Sequence, residues 1–247
     1  VERKAASVLL EQGAAAFPSD QRLAARSVAT QLGLARLEFA LGRLEEARTR
    51  SMIATNRLRQ LAALDPTNTY WRDYLLIGEL DRVDFATWSE GLAQARSRHA
   101  TAAASLASLK KGAQTEVWRA DREGRLNRQA IVLALQEGDE EAARNLARSL
   151  AQRLEASAAD RDTKIDRSDL LAYAQLVSGE PAAAIKTLSP RRRSLPPGSV
   201  DVLARAHLAV GRREEAARIV RELKQAGYAH PEFVAFWRES RAGGAIT

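Results

Sequence analysis

The sequence predicts an all-α chain built from repeated helix pairs, and three observations carry that prediction. First, its 247 residues include 48 alanines with abundant leucine and arginine, while aromatic residues make up only 5%. Those are strong helix formers, and no stretch alternates as a strand would. Second, four glycines each close an apolar helix-like stretch, and an alanine follows five residues later: Gly42…Ala47, Gly138…Ala143, Gly179…Ala184 and Gly211…Ala216. Glycine suits the left-handed C-cap, acidic residues or proline open the next helix, and a small residue lets two backbones approach. Third, Leu34-Ala35, Leu171-Ala172 and Leu203-Ala204 stand eight and seven residues before three of these glycines, with Ala130-Ile131 before the fourth. A helix–turn–helix unit recurring along a chain signals a helical repeat protein.

About a dozen helices are expected, near residues 1–16, 19–41, 43–64, 69–83, 85–110, 113–137, 139–158, 167–178, 181–189, 199–210, 212–226 and 231–241. Phe17-Pro18-Ser19-Asp20 ends the first and offers an N-cap to the second. Asp65-Pro66-Thr67-Asn68 makes a turn before the helix carrying Tyr70 and Trp71, and Lys111-Gly112 closes the fifth helix. Asp160–Lys164 is a polar linker, and Ser194–Ser199 is a second break with an N-cap serine. The repeats are irregular, with glycine intervals of 96, 41 and 32 residues. Region 69–137 therefore reads as diverged or elongated hairpins, with weaker steps at Gly91…Ala95 and Gly124…Ala130. Residues 1–160 are expected to form N-terminal repeats with elongated hairpins, and 161–247 C-terminal repeats with a capping helix, in one continuous solenoid.

Composition narrows the function classes. Cysteine is absent, which removes disulfide and thiolate chemistry without fixing a compartment. No run reaches the roughly 18–20 apolar residues needed to span a membrane. Val1, followed by charged Glu2-Arg3-Lys4 entering a helix already under way, points to a piece of a longer or processed chain. Net charge is +7, and the excess is concentrated at 186–228, where ten Lys or Arg face four Asp or Glu. Catalytic patterns are poor. His99, His207 and His230 share no metal-ligand spacing, and neither phosphate-cradling glycine motifs nor a nucleophile elbow occurs. Most carboxylates sit in helix first turns, where they complement the helix dipole. No enzyme activity, cofactor or metal is expected of this chain.

At the Leu-Ala…Gly…Ala segments the chain resembles the tetratricopeptide repeat (TPR) family. That resemblance implies a right-handed superhelical solenoid of antiparallel helix pairs with a concave binding face. The usual tyrosine position holds Glu38, Gln175 and His207 instead. A second resemblance lies in Leu64-Asp65-Pro66-Thr67-Asn68-Thr69-Tyr70-Trp71. It is similar to the junctions in TPR regions of bacterial transmembrane Ser/Thr kinases and winged-helix regulators. This implies the sensor or docking part of a membrane-anchored signalling protein, with a periplasmic setting favoured over a cytoplasmic one.

The TPR register also implies where a groove would lie. Residues six and ten positions before each turn glycine should face it: Arg36 and Leu32, Val132 and Arg128, Tyr173 and Asp169, Arg205 and Asp201. Arg36, Arg128, Asp169, Tyr173 and Arg205 are thus the candidate contacts for a protein or peptide partner, and a homodimer is compatible with the sequence. The Asn and Lys set of TPR carboxylate clamps is missing. Set against this, Asp201 and Arg205 at i,i+4 can simply pair with each other, worth about 0.2–0.5 kcal/mol on an exposed helix. The basic run Arg191-Arg192-Arg193 suggests a phosphate or acidic-partner contact, and the alternative function is a scaffold for nucleic acid or another polyanion. A solvated inter-repeat loop is favoured over it, because the stretch has few aromatics for base stacking. Trp71, Trp88, Trp118 and Trp237 read mainly as packing residues, and the helix bearing Trp237 as either a cap or an exposed docking face.

Overall fold

Six glycines adopt left-handed backbone, and each follows the end of a helix: Gly42, Gly91, Gly138, Gly179, Gly211 and Gly227, with φ between 74° and 94°. An L-residue there would cost roughly 1–2 kcal/mol, which is why glycine occupies the site. At the four glycines singled out in the sequence, the following N–H reaches back to the carbonyl five residues earlier. The bonds are Arg43 to Glu38 (2.8 Å), Asp139 to Ala134 (3.0 Å), Glu180 to Gln175 (2.8 Å) and Arg212 to His207 (2.9 Å). Each glycine N–H also bonds the carbonyl three residues back, completing a Schellman cap. Four turns thus share one hydrogen-bond pattern.

The computed structural model describes residues 8–10, 12, 13, 16, 20–109, 113–158 and 167–242. All regular structure among them is helical: α1 (Gln21–Ala40), α2 (Leu44–Leu64), α3 (Thr69–Ser89), α4 (Leu92–Ser108), α5 (Ala113–Gln136), α6 (Glu140–Ala158), α7 (Ser168–Val177), α8 (Pro181–Leu188), α9 (Pro197–Ala209), α10 (Arg213–Gln225) and α11 (Pro231–Ala242). A 3₁₀ segment, Ser189–Ser194, follows α8. Most of the expected 1–16 helix, the Phe17-Pro18-Ser19 break, the Lys111-Gly112 closure and the 160–164 linker lie outside the described residues.

Two compact units divide the chain, Val1–Lys110 and Lys111–Thr247. This is a grouping by packing, whereas the expected division at 160/161 follows repeat character. In the first unit α1 packs on α2, α2 on α3 and α3 on α4, and α1 also touches α3. Ala24, Ala25, Val28, Leu32, Ala54, Leu58, Leu61, Trp71 and Ile77 form one core cluster. Ala35, Phe39, Ala47 and Phe85 form another, with the Phe39 and Phe85 rings 4.7 Å apart. In the second unit α5 to α10 pack in sequence, and α5–α7 and α7–α9 also meet, so alternate helices share one side. This is the repeat-like, paired-helix arrangement expected of an α-solenoid.

The small residues lie where the turn grammar requires them. Ala35, Ile131, Ala172 and Ala204, seven before the glycines, and Ala47, Ala143, Ala184 and Ala216, five after, are all 0% exposed. The Asp65–Asn68 junction has an equally local mechanism. Asp65 accepts from the Thr67 hydroxyl (2.7 Å), and Asn68 caps α3 by accepting from the Tyr70 and Trp71 N–H groups. The Trp71 indole then drops into the core. Asp20 caps α1 in the same way through Arg22 and Leu23.

Several expectations are corrected. The third helix does not stop at residue 83. It runs on to Ser89, because Val83, Phe85 and Ala86 keep burying one face, and the break falls at Gly91. Gly124 makes no turn. It lies inside α5 facing the Leu170 side chain, and a methyl group there would collide with Leu170. The tryptophans agree with the expectation: Trp71, Trp88 and Trp237 pack against the fold, and Trp118 is exposed.

Candidate functional site

The shared side of α5, α7 and α9 carries four of the five candidate groove residues, because residues ten and six before each glycine project from the first helix of each pair. Arg128 comes from α5, Asp169 and Tyr173 from α7, and Arg205 from α9. The start of α11 and the loop before it close this side. Together they line a cavity of about 340 Å³ whose wall includes Asp121, Arg125, Arg128, Asp169, Tyr173 and Glu232. Leu170, Gly198, Asp201, Val202, Tyr228 and His230 line it too. The other register positions behave differently: Leu32 and Val132 are buried in their cores.

Beneath the cavity lies a buried ionic network. Glu232 accepts from Arg128 (2.8 Å) through one oxygen and from Arg205 (3.1 Å) through the other. Arg205 also donates to Asp201 at 2.6 Å, and the Trp237 indole N–H donates to the second Asp201 oxygen at 2.8 Å. The Arg128 guanidinium lies 4.6 Å from the Tyr173 ring centre, and that of Arg205 lies 4.4 Å from Phe236. Arg205 is therefore held behind the cavity wall, and the Asp201–Arg205 pair is a buried element of a network rather than an exposed i,i+4 bridge.

The electrostatics follow from this burial. Desolvation opposes charge on Glu232, but Arg128, Arg205 and His230 together outweigh it and hold its carboxyl below the ordinary range. Desolvation wins at Asp201, raising its pKa against the pull of Arg205 and Trp237. At Arg205 the two carboxylates overcome burial and keep the guanidinium charged. Burial pushes the Tyr173 and Tyr228 phenols up, so both stay protonated across the physiological range. The Tyr173 side chain is 3% exposed, and its hydroxyl has no hydrogen-bond partner among the described residues.

Arg36 lies in the first unit, where its Nε donates to both oxygens of fully buried Asp81 at 2.8 and 3.0 Å, tying α1 to α3. That unit also has a groove of about 650 Å³ between α1 and α2, lined by Val28, Gln31, Thr49, Ile53 and Arg57 among others. The basic run occupies the 3₁₀ segment. Arg192 bridges Glu215 (3.0 Å) and Glu222 (3.2 Å), both also held by Arg218, while Arg191 donates to Ser168. Arg193 is exposed. Much of the run's charge is thus engaged within the fold.

Glu232 and Asp121, Arg125, Tyr228 and Gly198 were not singled out by sequence. Glu232 reads there as one more first-turn carboxylate, and its partners Arg128 and Arg205 stand 104 and 27 residues away. Trp237 and Phe233 are buried, so α11 packs inward with its main aromatic face. Among the described residues no cluster of His, Asp or Glu is placed to hold a metal ion, and no helix is long and apolar enough to cross a membrane.

Fold and site together define a class: an all-α chain of repeat-like helix pairs with a cavity lined by charged and aromatic side chains on the side shared by alternate helices. No family model, curated protein or solved structure matches the chain.

Proposed function

We propose that this chain is a non-catalytic, TPR-like interaction module that binds a segment of a protein partner on the α5/α7/α9 side of its second unit. One observation carries the reading. Three successive first helices and the α11 start contribute side chains to a single cavity whose walls are already braced by Glu232, Asp201, Arg128 and Arg205. Preorganised walls reduce the ordering cost of binding. At about 340 Å³ the cavity is at the small end of ligand pockets, which run roughly 300–1,000 Å³, so it fits one or two side chains of an extended segment. The Leu64–Trp71 junction supports the finer proposal that the module is the partner-sensing part of a bacterial membrane-anchored signalling protein, in the periplasm. Arg192 being engaged by Glu215 and Glu222 weighs against the polyanion alternative.

Gly198 supplies the test. It sits in the first turn of α9, where an added Cβ meets only the Tyr228 hydroxyl, at 3.5 Å, and the backbone is ordinary helix. Random peptides displayed on phage are selected on the whole chain and their affinities measured for wild type and Gly198→Leu. Leucine should fill the cavity and weaken selected peptides at least about tenfold, with the melting temperature unchanged or raised. Undiminished binding of every selected peptide by Gly198→Leu would remove the cavity from the proposal.

A further inference from the structure

We infer that the α5/α7/α9 cavity is a subsite for a cationic side chain, a guanidinium in particular, presented by the bound segment; this rests on the peptide-binding reading above. Three observations converge on it. The first is charge. Asp121, Asp169, Asp201 and Glu232 line the cavity, against Arg125 and Arg128 in the wall and Arg205 behind it. Four carboxylates thus face two guanidiniums in the wall itself, in a chain whose overall charge is +7.

The second is how that charge is distributed. Arg128 and Arg205 are engaged by Glu232 and Asp201, and Asp121 by Arg122. Asp169 has no ion pair among the described residues. It stands partly exposed in the first turn of α7, where no side-chain cap bond uses it. Complementing the α7 dipole is its minimum role, but that role leaves the carboxylate open to a ligand.

The third is Tyr173, which is 97% buried in a wall of the cavity with its hydroxyl lacking any hydrogen-bond partner among the described residues. A buried hydroxyl left without a partner costs about 1–3 kcal/mol. The oxygen is itself covered, so a ligand donor recovers that cost when the Tyr173 side chain shifts toward the cavity, and the protonated phenol then accepts from the cation. A second ring makes the preference for guanidinium over ammonium. Tyr228 stacks on His230 with centres 6.0 Å apart and planes at 16°, and both rings are partly exposed at the cavity. A planar guanidinium can lie on such a face and still reach a carboxylate with its N–H fork.

The probes are N-acetylarginine amide, N-acetyllysine amide and N-acetylglutamate amide, each titrated into the whole chain with ¹³C-labelled tyrosine rings. The arginine probe should shift the Tyr173 and Tyr228 ring signals saturably, the lysine probe more weakly, and the glutamate probe not at all. Asp169→Asn, a partly exposed and nearly isosteric change, should weaken the arginine probe at least fivefold. Equal shifts from the glutamate probe, an arginine response unchanged in Asp169→Asn, or no saturable shift would each overturn the assignment. The two proposals separate cleanly. Should Gly198→Leu abolish binding of selected peptides while the arginine probe fails to compete with them, the peptide site stands and the cation assignment falls.

Discussion

Replacing Glu232 with alanine tests the network that braces the cavity, and the structure sets the size of the effect. The substitution removes two charge-assisted hydrogen bonds, at 2.8 Å from Arg128 and 3.1 Å from Arg205. Bonds to charged groups contribute roughly 1.5–3 kcal/mol each when their surroundings are dry. The Arg128 side chain is 32% exposed and can turn to water, so its bond is discounted toward the roughly 0–1 kcal/mol of an exposed pair. Arg205 is 12% exposed and cannot rehydrate easily, although Asp201 and the Phe236 ring still hold it. The expected loss is about 2–4 kcal/mol, short of the roughly 3–5 kcal/mol for stripping all partners from a buried charge. At 1.4 kcal/mol per factor of ten, amides of α11 should exchange with deuterium about 30- to 1,000-fold faster. Mass spectrometry of peptides covering 231–242 reads this directly, with Glu214→Ala as a control on the exposed first turn of α10. Glu232→Gln, which keeps one acceptor, should fall between. Acceleration below about threefold in Glu232→Ala would refute the claim that the ionic network anchors α11.

Three further outcomes follow from particular residues. Asn68→Ala should cost about 1 kcal/mol through loss of the α3 cap, read as a lower urea midpoint of the first unit with unchanged slope. Gly78→Ala should destabilise that unit by about 1–3 kcal/mol, since the new methyl would meet the Thr55 hydroxyl at 2.7 Å, and that hydroxyl is bonded to the Ser51 carbonyl. Adding Thr55→Ala should recover part of the loss, giving a measurable coupling in a double-mutant cycle. His207 is expected to destabilise the second unit as pH falls from 7.5 to 5.5. Burial, opposed by Glu215 but aided by Arg212, Arg192 and Arg218, lowers its pKa from the ordinary value of 6.5. The unfolded chain therefore binds the proton more tightly, and stability present above 6.5 is lost as pH drops through that window. His207→Gln should flatten this part of the pH–stability curve measured by urea unfolding.

What the sequence revealed was mostly local. A Schellman turn is specified within about six residues, so Gly42, Gly138, Gly179 and Gly211 could be read directly, and the fully buried alanines beside them follow from helix spacing. The Asp65–Asn68 turn and cap were legible for the same reason. The α3 boundary was not, because a polar Asp84 resembles a break until Phe85 and Ala86 are seen to continue the buried face. Gly124 misled because close approach of Leu170 and a turn make the same demand for a missing side chain. The register placed Arg128, Asp169, Tyr173 and Arg205 on one side. It could not say that Arg205 would be consumed by Asp201 and Glu232, since Glu232 reaches it only through the tertiary fold.

Ligand bound as proposed meets the side shared by α5, α7 and α9 and sets a basic side chain beside Asp169. Attaching a nitroxide next to the basic residue of a selected peptide and measuring paramagnetic broadening in methyl-labelled protein tests it most directly. Strong broadening is expected at the Leu170 and Val202 methyls, both at the cavity, and distinctly weaker broadening at Ile219 and Leu154 on the partner helices. Broadening centred on Ile219 or Leu154, or on the α1/α2 groove methyls of Val28 and Ile53, would contradict it.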